Sequence, residues 1–314
     1  MDLTIGVDVG GTKIAAGAVD AAGRIVENVR VQTPATTAEA VEAGIVEAVR
    51  RLQQNHEAVA VGLAVAGFVD EKRARLRFAA NLPMADRSLR ETIGARVGLP
   101  VVVENDANAA AWGEHRFGGG RNNPDMCLVT VGTGLGGGIV MAGDLVRGAF
   151  GVAAEFGHLR LVPDGLPCGC GNHGCWEQYC SGSALIREAQ ALCRRDPVAG
   201  AALLELAGQD PDAVTGTMVT EAALAGDAAA VALFAELGRW LGEGVAQLAE
   251  VLDPATVVVG GGVSEAGDLL LEPARQAYAA ELSGGSHRPH LQMTPATLGN
   301  DAGLIGAADL ARRP

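Results

Sequence analysis

The chain has 314 residues, of which 48% are hydrophobic and only 4% aromatic, so it can form about two domains with cores of Ala, Val and Leu. Its formal net charge of -13 argues against nucleic acid or an anionic membrane as the main partner, because neither attracts an acidic surface. The N-terminus lacks a signal-type segment, and no stretch reaches the ~18 consecutive apolar residues of a membrane span, so we expect a cytoplasmic protein.

Two apolar segments near the N-terminus flank a pair of glycines. Residues 3–9 and 14–19 are rich in β-branched side chains, and Gly-Gly-Thr-Lys lies between them at residues 10–13. This pattern predicts a β-hairpin. Its turn would present bare amides, a hydroxyl and an ammonium group, which suit a phosphate, but an ordinary hairpin explains the pattern equally well. The spacing of a Walker A loop is absent.

Helix and strand patterns alternate through the next hundred residues. The apolar spacing predicts a surface helix over residues 36–52 and buried strands over residues 59–65 and 100–103. The second strand leads through Asn105 and Asp106 into an Ala-rich helix. Because ligands bind at the carboxyl ends of strands in open α/β sheets, both are candidate ligand-binding residues. Either residue would also serve as a simple helix cap.

Further glycine turns follow in the second half of the chain. Residues 127–131 and 139–141 are apolar and flank the glycine-rich residues 132–138. A Gly-x-Gly-x-x-Gly spacing occurs there, but a strand follows it, whereas a dinucleotide-binding fingerprint needs a helix. The segment instead repeats the arrangement of the first hairpin. The sequence therefore predicts two similar halves, each with one phosphate-binding turn.

The C-terminal third begins with a long amphipathic pattern. Apolar residues at helical spacing predict a helix over residues 233–252, followed by a buried strand over residues 256–259 and a third glycine turn at residues 260–262. Residues 299–308 are mostly small and predict a helix that can pack closely on another.

Three cysteines lie within eight residues, at positions 168, 170 and 175, and His158 precedes them. Three thiols and one histidine form the Cys₃His set that tetrahedral structural zinc takes, and clustered cysteines in a cytosolic protein indicate a metal site. His173 is an alternative ligand, but we favour His158 because the tight loop would strain His173. The carboxylates Glu155 and Glu177 flank the ligands, so metal binding would hold two acceptors for a polyol.

The remaining cysteines, Cys127, Cys180 and Cys193, are expected to be packing residues.

Six motifs succeed one another along the chain, at residues 8–13, 104–110, 131–138, 155–158, 168–177 and 260–263. Together they resemble the successive signatures of the ROK family of sugar kinases and repressors, and the match spans essentially the whole chain. The cysteine loop after Glu-x-Gly-His is the most specific of them, and it is most similar to that of the zinc-containing bacterial glucokinases of this family.

The resemblance implies an actin-like ATPase (ribonuclease H-like) fold with two α/β domains around a cleft. The smaller domain would comprise residues 1–117 and 300–314, and the larger, with the zinc loop, residues 118–299. The implied activity is ATP-dependent phosphorylation of the 6-hydroxyl of glucose by a cytoplasmic homo-oligomer, a dimer or tetramer. The implied cofactors are structural Zn²⁺ and Mg²⁺ bound with ATP.

Two other functions are carried as alternatives. One is a kinase for mannose, fructose, N-acetylglucosamine or N-acetylmannosamine. The other is a sugar-responsive repressor, which is less favoured because such repressors carry an N-terminal DNA-binding module, whereas the first strand here begins at Leu3.

The family motifs imply a role for each matching residue. Asp106 would be the general base on the 6-hydroxyl of the sugar. The sugar would be bound by Gly67, Asn81, Asn105, Asp106, Glu155, His158 and Glu177. The nucleotide would be bound by Gly10, Gly11, Thr12, Lys13, Thr133, Gly134, Gly261 and Gly262. The zinc ligands would be His158, Cys168, Cys170 and Cys175.

Two further positions bear on this assignment. Asp8 matches the acid of the first strand, which would orient water on magnesium, although a strand-end Asp also commonly caps its own turn. Leu82 stands in the sugar-side loop where the family often has Trp.

Overall fold

The computed structural model describes residues 2–34 and 36–313, so Met1, Ala35 and Pro314 of the predicted domains lie outside the described residues. The chain forms two compact units. The first unit consists of Met1–Leu128, Gly137–Ala154 and Ala296–Pro314, and the second of Val129–Gly136 and Glu155–Pro295. The domain boundaries expected from the sequence, after residues 117 and 299, stay a prediction.

Strands and helices alternate along much of the chain, which is typical of an α/β protein. The strands are β1 (Leu3–Val9), β2 (Lys13–Val19), β3 (Ile25–Gln32), β4 (Ala58–Val65), β5 (Phe68–Val69), β6 (Leu76–Phe78), β7 (Ala85–Arg87), β8 (Val101–Asn105), β9 (Met126–Val131), β10 (Leu135–Met141), β11 (Asp144–Leu145), β12 (Thr256–Gly260) and β13 (Gln292–Pro295). The α-helices are α1 (Ala38–Gln53), α2 (Leu89–Val97), α3 (Asp106–Phe117), α4 (Gly182–Arg195), α5 (Ala201–Leu206), α6 (Gly216–Leu224), α7 (Ala228–Leu252), α8 (Asp268–Glu281) and α9 (Ala302–Ala311).

The strands form two five-stranded sheets with the same internal order. The strand order is β3-β2-β1-β4-β8 in the first sheet and β11-β10-β9-β12-β13 in the second. In each sheet the first strand is central, the next two strands in sequence lie on one side of it, and the last two lie on the other side. In the first sheet, β1 pairs with β2 antiparallel and with β4 parallel, and β4 pairs with β8 parallel. The predicted first hairpin is thus present, and the common order agrees with the predicted similarity of the two halves. β5, β6 and β7 form a small separate sheet.

Helix α1 covers one face of the first sheet. Thr37 caps it by accepting the Ala40 N–H at 3.2 Å, which satisfies one of the free amides of the first turn. Four apolar residues of the helix, at helical spacing, are fully buried: Val41, Ile45, Val49 and Leu52. The helix predicted over residues 36–52 is therefore present with ends shifted by one or two residues.

The small residues of α9 allow very close packing, as the sequence indicates. A Cβ added to Gly6 of β1 or to Gly62 of β4 would lie only 1.9 Å from a carbonyl oxygen of α9. A Cβ on Gly306 of α9 would lie 1.8 Å from the Ala109 carbonyl of α3. Helix α9 therefore fixes α3, and with it the end of β8, against the first sheet. It begins at Ala302, because residues 299–301 form a short 3₁₀ helix.

In the second unit the longest helix is α7, which Asp227 caps and which starts five residues before the predicted helix. It packs closely against α8: a Cβ added to Gly242 of α7 would lie 2.2 Å from the Ala274 carbonyl oxygen of α8. No single helix among the described residues is long and apolar enough to cross a membrane. Helices α6 and α7 together meet that length and composition, with a bend of 113° between them.

Candidate active site

One group of predicted residues lies where β8 ends and α3 begins. Asn105 is the last residue of β8 and caps α3, because its side-chain oxygen accepts the Asn108 N–H at 3.0 Å. Its side-chain nitrogen donates to the Gly67 carbonyl at 3.2 Å and to the Asp106 carboxylate at 3.1 Å. The helix-cap alternative thus holds for Asn105. The Asp106 carboxylate is oriented by its neighbour and is not the cap.

The carboxylates of this region have altered acidity. Burial raises the pKa of Asp106, and hydrogen bonds from the backbone N–H groups of Ala107 and of Asp106 itself and from the Asn105 side chain partly offset the rise. The pKa of Asp8 in β1 is raised to about 6, first by burial and then by the negative charge of Asp106. Lys13 lowers the pKa of Asp8 and Asp301 raises it. The first unit therefore brings several acidic groups together near one cation.

The first glycine turn connects β1 to β2, and Lys13 is already the first residue of β2. The Gly10 N–H donates to the Lys13 carbonyl at 3.0 Å, and the Gly10 carbonyl accepts the Thr33 hydroxyl at 2.7 Å. Gly11 lies against the loop of Asn81, since a Cβ on Gly11 would be 3.0 Å from the Asn81 carbonyl oxygen. The turn leaves two side chains exposed, those of Thr12 and Lys13.

The loop beyond Asn81 does not present Leu82 to solvent. Leu82 is only 6% exposed and belongs to the hydrophobic core of the first unit. Asn81, by contrast, is exposed. The residue at the position where the family often has Trp therefore packs inward.

The other two glycine turns lie against each other in the second unit. In the turn between β9 and β10, which contains Thr133, the Gly132 N–H donates to the Gly134 carbonyl at 3.0 Å. Gly261 has a φ of 85°, and a Cβ there would lie 2.4 Å from the Val131 carbonyl oxygen. Only glycine satisfies both the positive φ and this close approach. Gly262 follows as the first residue of a short 3₁₀ helix.

The cysteine loop brings the four predicted metal ligands together. One ligand atom from each of His158, Cys168, Cys170 and Cys175 lies within 4.8 Å of the others. The His158 Nδ1 is 3.7 Å from the Cys168 Sγ, and the Cys170 Sγ is 3.6 Å from the Cys175 Sγ. Within residues 2–34 and 36–313 this is the one such group, and it contains His158 and not His173. Three thiols and an imidazole at these separations fit a tetrahedral zinc ion.

Short backbone contacts shape this loop. The Cys168 N–H donates to the Asn172 carbonyl at 2.8 Å, and the Gly174 N–H donates to the Leu166 carbonyl at 2.8 Å. Cys175 is fully buried and Cys170 is exposed. The cysteines outside the cluster are buried in the core, and burial raises the pKa of each thiol: Cys127, Cys180 and Cys193.

The two flanking carboxylates differ in their surroundings. Glu155 is exposed and immediately precedes a 3₁₀ helix, Phe156–His158. Glu177 is half-buried, and one of its oxygens accepts the Leu135 N–H at 3.2 Å, while the other lies 3.9 Å from the Cys168 Sγ. Glu177 therefore lies between the metal ligands and the glycine turn that follows β9.

A buried ionic group beneath Asn105 was not foreseen from the sequence. Glu104 is 2% exposed, and its carboxylate accepts Arg147 Nε at 2.6 Å, the Asn105 N–H at 3.2 Å and the Asn108 side chain at 3.2 Å. Arg73 Nε lies 3.6 Å from the same carboxylate. The signal was available, because a glutamate that ends a run of three valines in a buried strand requires a charged partner.

The comparisons with known proteins cover the full chain. The model of the ROK family matches residues 4–314. A glucokinase of Streptomyces coelicolor is 53% identical over 314 residues, which is 100% of this chain and 99% of that protein. The crystal structure of a ROK family glucokinase from Streptomyces griseus in complex with glucose and AMPPNP is 54% identical, with a TM-score of 0.90 over 99% of this chain and 100% of that one. A ROK hexokinase from Thermus thermophilus is 37% identical, with a TM-score of 0.82 over 99% and 98% of the two chains.

These similarities agree with the motifs that the sequence presents in order. They confirm the predicted fold class, the mixed α/β architecture of the actin-like ATPases. Because the family model and relatives of more than 30% identity cover nearly every residue, the chain belongs to the ROK family.

Proposed function

We propose that this chain phosphorylates the 6-hydroxyl of glucose with ATP as the donor, giving glucose 6-phosphate and ADP. One observation carries the proposal: the S. griseus glucokinase, whose structure contains glucose and AMPPNP, is 54% identical to this chain over 99% of its length. The S. coelicolor glucokinase matches at a similar identity and also over the full length. The activity predicted from the sequence motifs is the same.

Asp106 is the general base in this proposal. Its carboxylate accepts the proton of the 6-hydroxyl as the sugar oxygen forms a bond to the γ-phosphorus, and the bond from that phosphorus to the bridging oxygen of ADP breaks. The Asn105 side chain orients the carboxylate by donating to it at 3.1 Å. A general base works best when its pKa lies near the operating pH, and burial raises the pKa of Asp106 in that direction. Phosphoryl transfer requires mainly positioning and charge stabilisation beyond this step.

The glycine turns provide the positioning of the phosphates. Backbone amides in turns are well suited to oxyanions, and glycine lets the backbone approach closely. We assign phosphate binding to Gly10, Gly11, Thr12, Lys13, Thr133 and Gly134, and contact with the adenosine to Gly261 and Gly262. The close fit of Gly261 on Val131 supports this assignment, because it fixes two of the turns against each other.

Magnesium fits the acidic group around Asp8. Burial first, and then the negative charges of Asp106 and Asp301, raise the pKa of Asp8 to about 6, and a bound cation would compensate the charge of these carboxylates. The phosphates of ATP would hold the ion, and Asp8 would orient water on it. When bound, it would neutralise the charge that develops on the phosphates.

Zinc has a structural role in this proposal. His158, Cys168, Cys170 and Cys175 would fill its tetrahedral shell, so the ion would have no open position for chemistry. We assign the remaining sugar hydroxyls to Gly67, Asn81, Asn105, Glu155, His158 and Glu177. The metal would thus hold a histidine and two flanking carboxylates in place.

We also propose that the enzyme is cytoplasmic and forms a homo-oligomer, a dimer or tetramer. Another hexose remains the alternative substrate, because one similar structure is that of a hexokinase.

A coupled assay of ADP release tests the activity directly. The purified chain is supplied with ATP and Mg²⁺ and with glucose, mannose, fructose, N-acetylglucosamine or N-acetylmannosamine in parallel. We expect the highest kcat/KM with glucose. A higher value with another sugar would replace glucose as the substrate, and no ADP release with any sugar would refute the kinase proposal.

A further inference from the structure

Residues 175–183, which lead from the last cysteine of the loop into α4, contact every residue of the glycine turn at residues 132–135. The Gly182 N–H donates to the Gly132 carbonyl at 2.7 Å. Ser183 donates to the Thr133 carbonyl twice, through its N–H at 3.2 Å and through its hydroxyl at 2.8 Å. The carbonyl side of the turn is therefore held by the start of α4.

Glu177 holds the other end of the same turn. Its carboxylate accepts the Leu135 N–H at 3.2 Å, and a Cβ on Gly134 would lie 2.3 Å from that carboxylate. The segment that carries His158 touches the turn as well, because a Cβ on Gly157 would lie 2.4 Å from the Leu135 carbonyl oxygen. Both ligand-bearing segments are thus packed directly on residues 134–135.

These contacts matter because a phosphate-binding turn works only when its amides are fixed in direction before the ligand arrives. The residues that fix the turn lie on the same segment as a predicted metal ligand: Glu177 follows Cys175 by two residues, and Ser183 follows it by eight. The glycines of the turn would otherwise leave its backbone free to change conformation. Its geometry is therefore tied to that of the cysteine cluster.

We propose that residues 175–183 couple the cysteine cluster to the phosphate-binding turn, with Glu177 and Ser183 as positioning residues, so that the metal organises the nucleotide site as well as the sugar site. This inference deepens the proposed kinase function and rests on it. The coupling is reciprocal, because each side of a packed contact constrains the other.

Ser183→Ala tests the coupling without touching a metal ligand. Loss of one hydrogen bond of about 1 kcal/mol should weaken binding of AMPPNP with Mg²⁺ roughly fivefold by calorimetry. The KM for ATP should rise and the KM for glucose should stay unchanged, and zinc content should be that of the wild type. Ser183→Thr, which keeps the hydroxyl, should restore the affinity. Thr220→Ala removes a comparable hydroxyl-to-carbonyl bond in α6 and should have no effect on nucleotide affinity.

Metal removal tests the same coupling from the other side. The chelated protein is returned to buffer with Mg²⁺, and its affinity for AMPPNP is measured without sugar. We expect this affinity to be at least ~10-fold lower than that of the zinc-loaded protein, as is typical when the residues that support a site are lost. Nucleotide affinity that is unchanged in both the chelated protein and Ser183→Ala would overturn the inference while leaving the kinase function intact. Nucleotide binding that depends on the metal, in a protein that phosphorylates no hexose, would support the coupling and refute the proposed function.

Discussion

The end of β8 and the cysteine loop obtain their geometry in different ways. Asn105 and Asp106 lie at the junction of a paired strand and a capped helix, and α9 locks that helix in place through glycines. Residues 155–177 contain no α-helix or named strand, only short 3₁₀ turns and isolated bridges, and their fixed feature is four ligand atoms within 4.8 Å. Packing therefore determines the first region, whereas the second is built around four side chains that could hold a metal ion. Perturbations should separate the two.

The largest effect is expected from Asp106→Asn. The substitution keeps the shape of the side chain but removes the proton acceptor, so kcat should fall by at least ~10²-fold. Because packing sets the geometry here, glucose affinity measured by calorimetry should change little. The protein should be no less stable to unfolding, since the substitution removes a buried charge. Asp144→Asn, an exposed aspartate of the same unit, should behave as the wild type. Turnover within a factor of three of the wild type would refute the role of Asp106.

Removal of the metal should instead affect shape and binding together. Cys175→Ala deletes a fully buried ligand, so we expect less than one zinc per chain and glucose affinity reduced at least ~10-fold. Hydrogen exchange should accelerate across residues 155–177, and protection of residues 101–117 should remain as in the wild type.

Cys193→Ala is the matched control, because that thiol is also buried but lies outside the cluster. It should retain zinc and affinity. A wild-type protein that contains well below one zinc per chain and is fully active would contradict the structural role of the metal.

An intermediate effect is expected from pH. The base form of an acid with a raised pKa is lost as pH falls through that pKa, so kcat/KM for glucose should fall below about pH 6, where Asp8 takes up a proton. Burial raises the pKa of Asp106 as well, which adds to the loss on the acidic side. The acidic limb measured from pH 5 to 9 should move to lower pH in Asp8→Asn, because the carboxyl group that titrates at about pH 6 is gone. A flat profile down to pH 5 in the wild type would contradict the raised pKa of Asp8.

The sequence predicts the parts of both regions that carry local signals. Asp106 follows an apolar strand at the point where α/β sheets bind ligands, and the cysteines stand at metal-binding spacing, so each is recognised without a fold. The long α7 and the small-residue α9 are likewise evident from periodicity and composition. The predicted ends differ from the observed ones by up to five residues, because the periodicity does not show that Asp227 caps α7 or that a 3₁₀ turn precedes α9.

What the sequence does not predict depends on contacts between distant segments. Ser183 has no local pattern, and its position under Thr133 follows only from the path of the folded chain. The sequence does not predict strand β3, because its apolar alternation is broken: Val26 is 55% exposed and Glu27 lies on the less exposed face. Helix α8 was also missed, and it contains Pro273, which usually argues against a helix interior.

The smallest effect concerns the stability of the packed region itself. Asp8 has a pKa raised to about 6 in the folded chain, so its ionised form is less stable there than in the unfolded chain. Well below pH 4 the group is protonated in both states and makes no difference. The destabilisation develops as the pH rises from about 4 to about 6 and is complete above pH 6. Asp8→Asn should therefore increase the free energy of unfolding by about 1–3 kcal/mol at pH 8, allowing for partial exposure.

Denaturant unfolding at pH 8 and at pH 4 measures this difference, with Asp144→Asn as the control. The gain should be present at pH 8 and much smaller at pH 4. Turnover should fall if Asp8 acts on magnesium as we propose. An equal gain at both pH values would mean that the charge of Asp8 is not its cause. A loss at pH 8 would mean that contacts of Asp8 outweigh its burial, and that the end of β1, unlike the end of β8, depends on an ionised side chain for its shape.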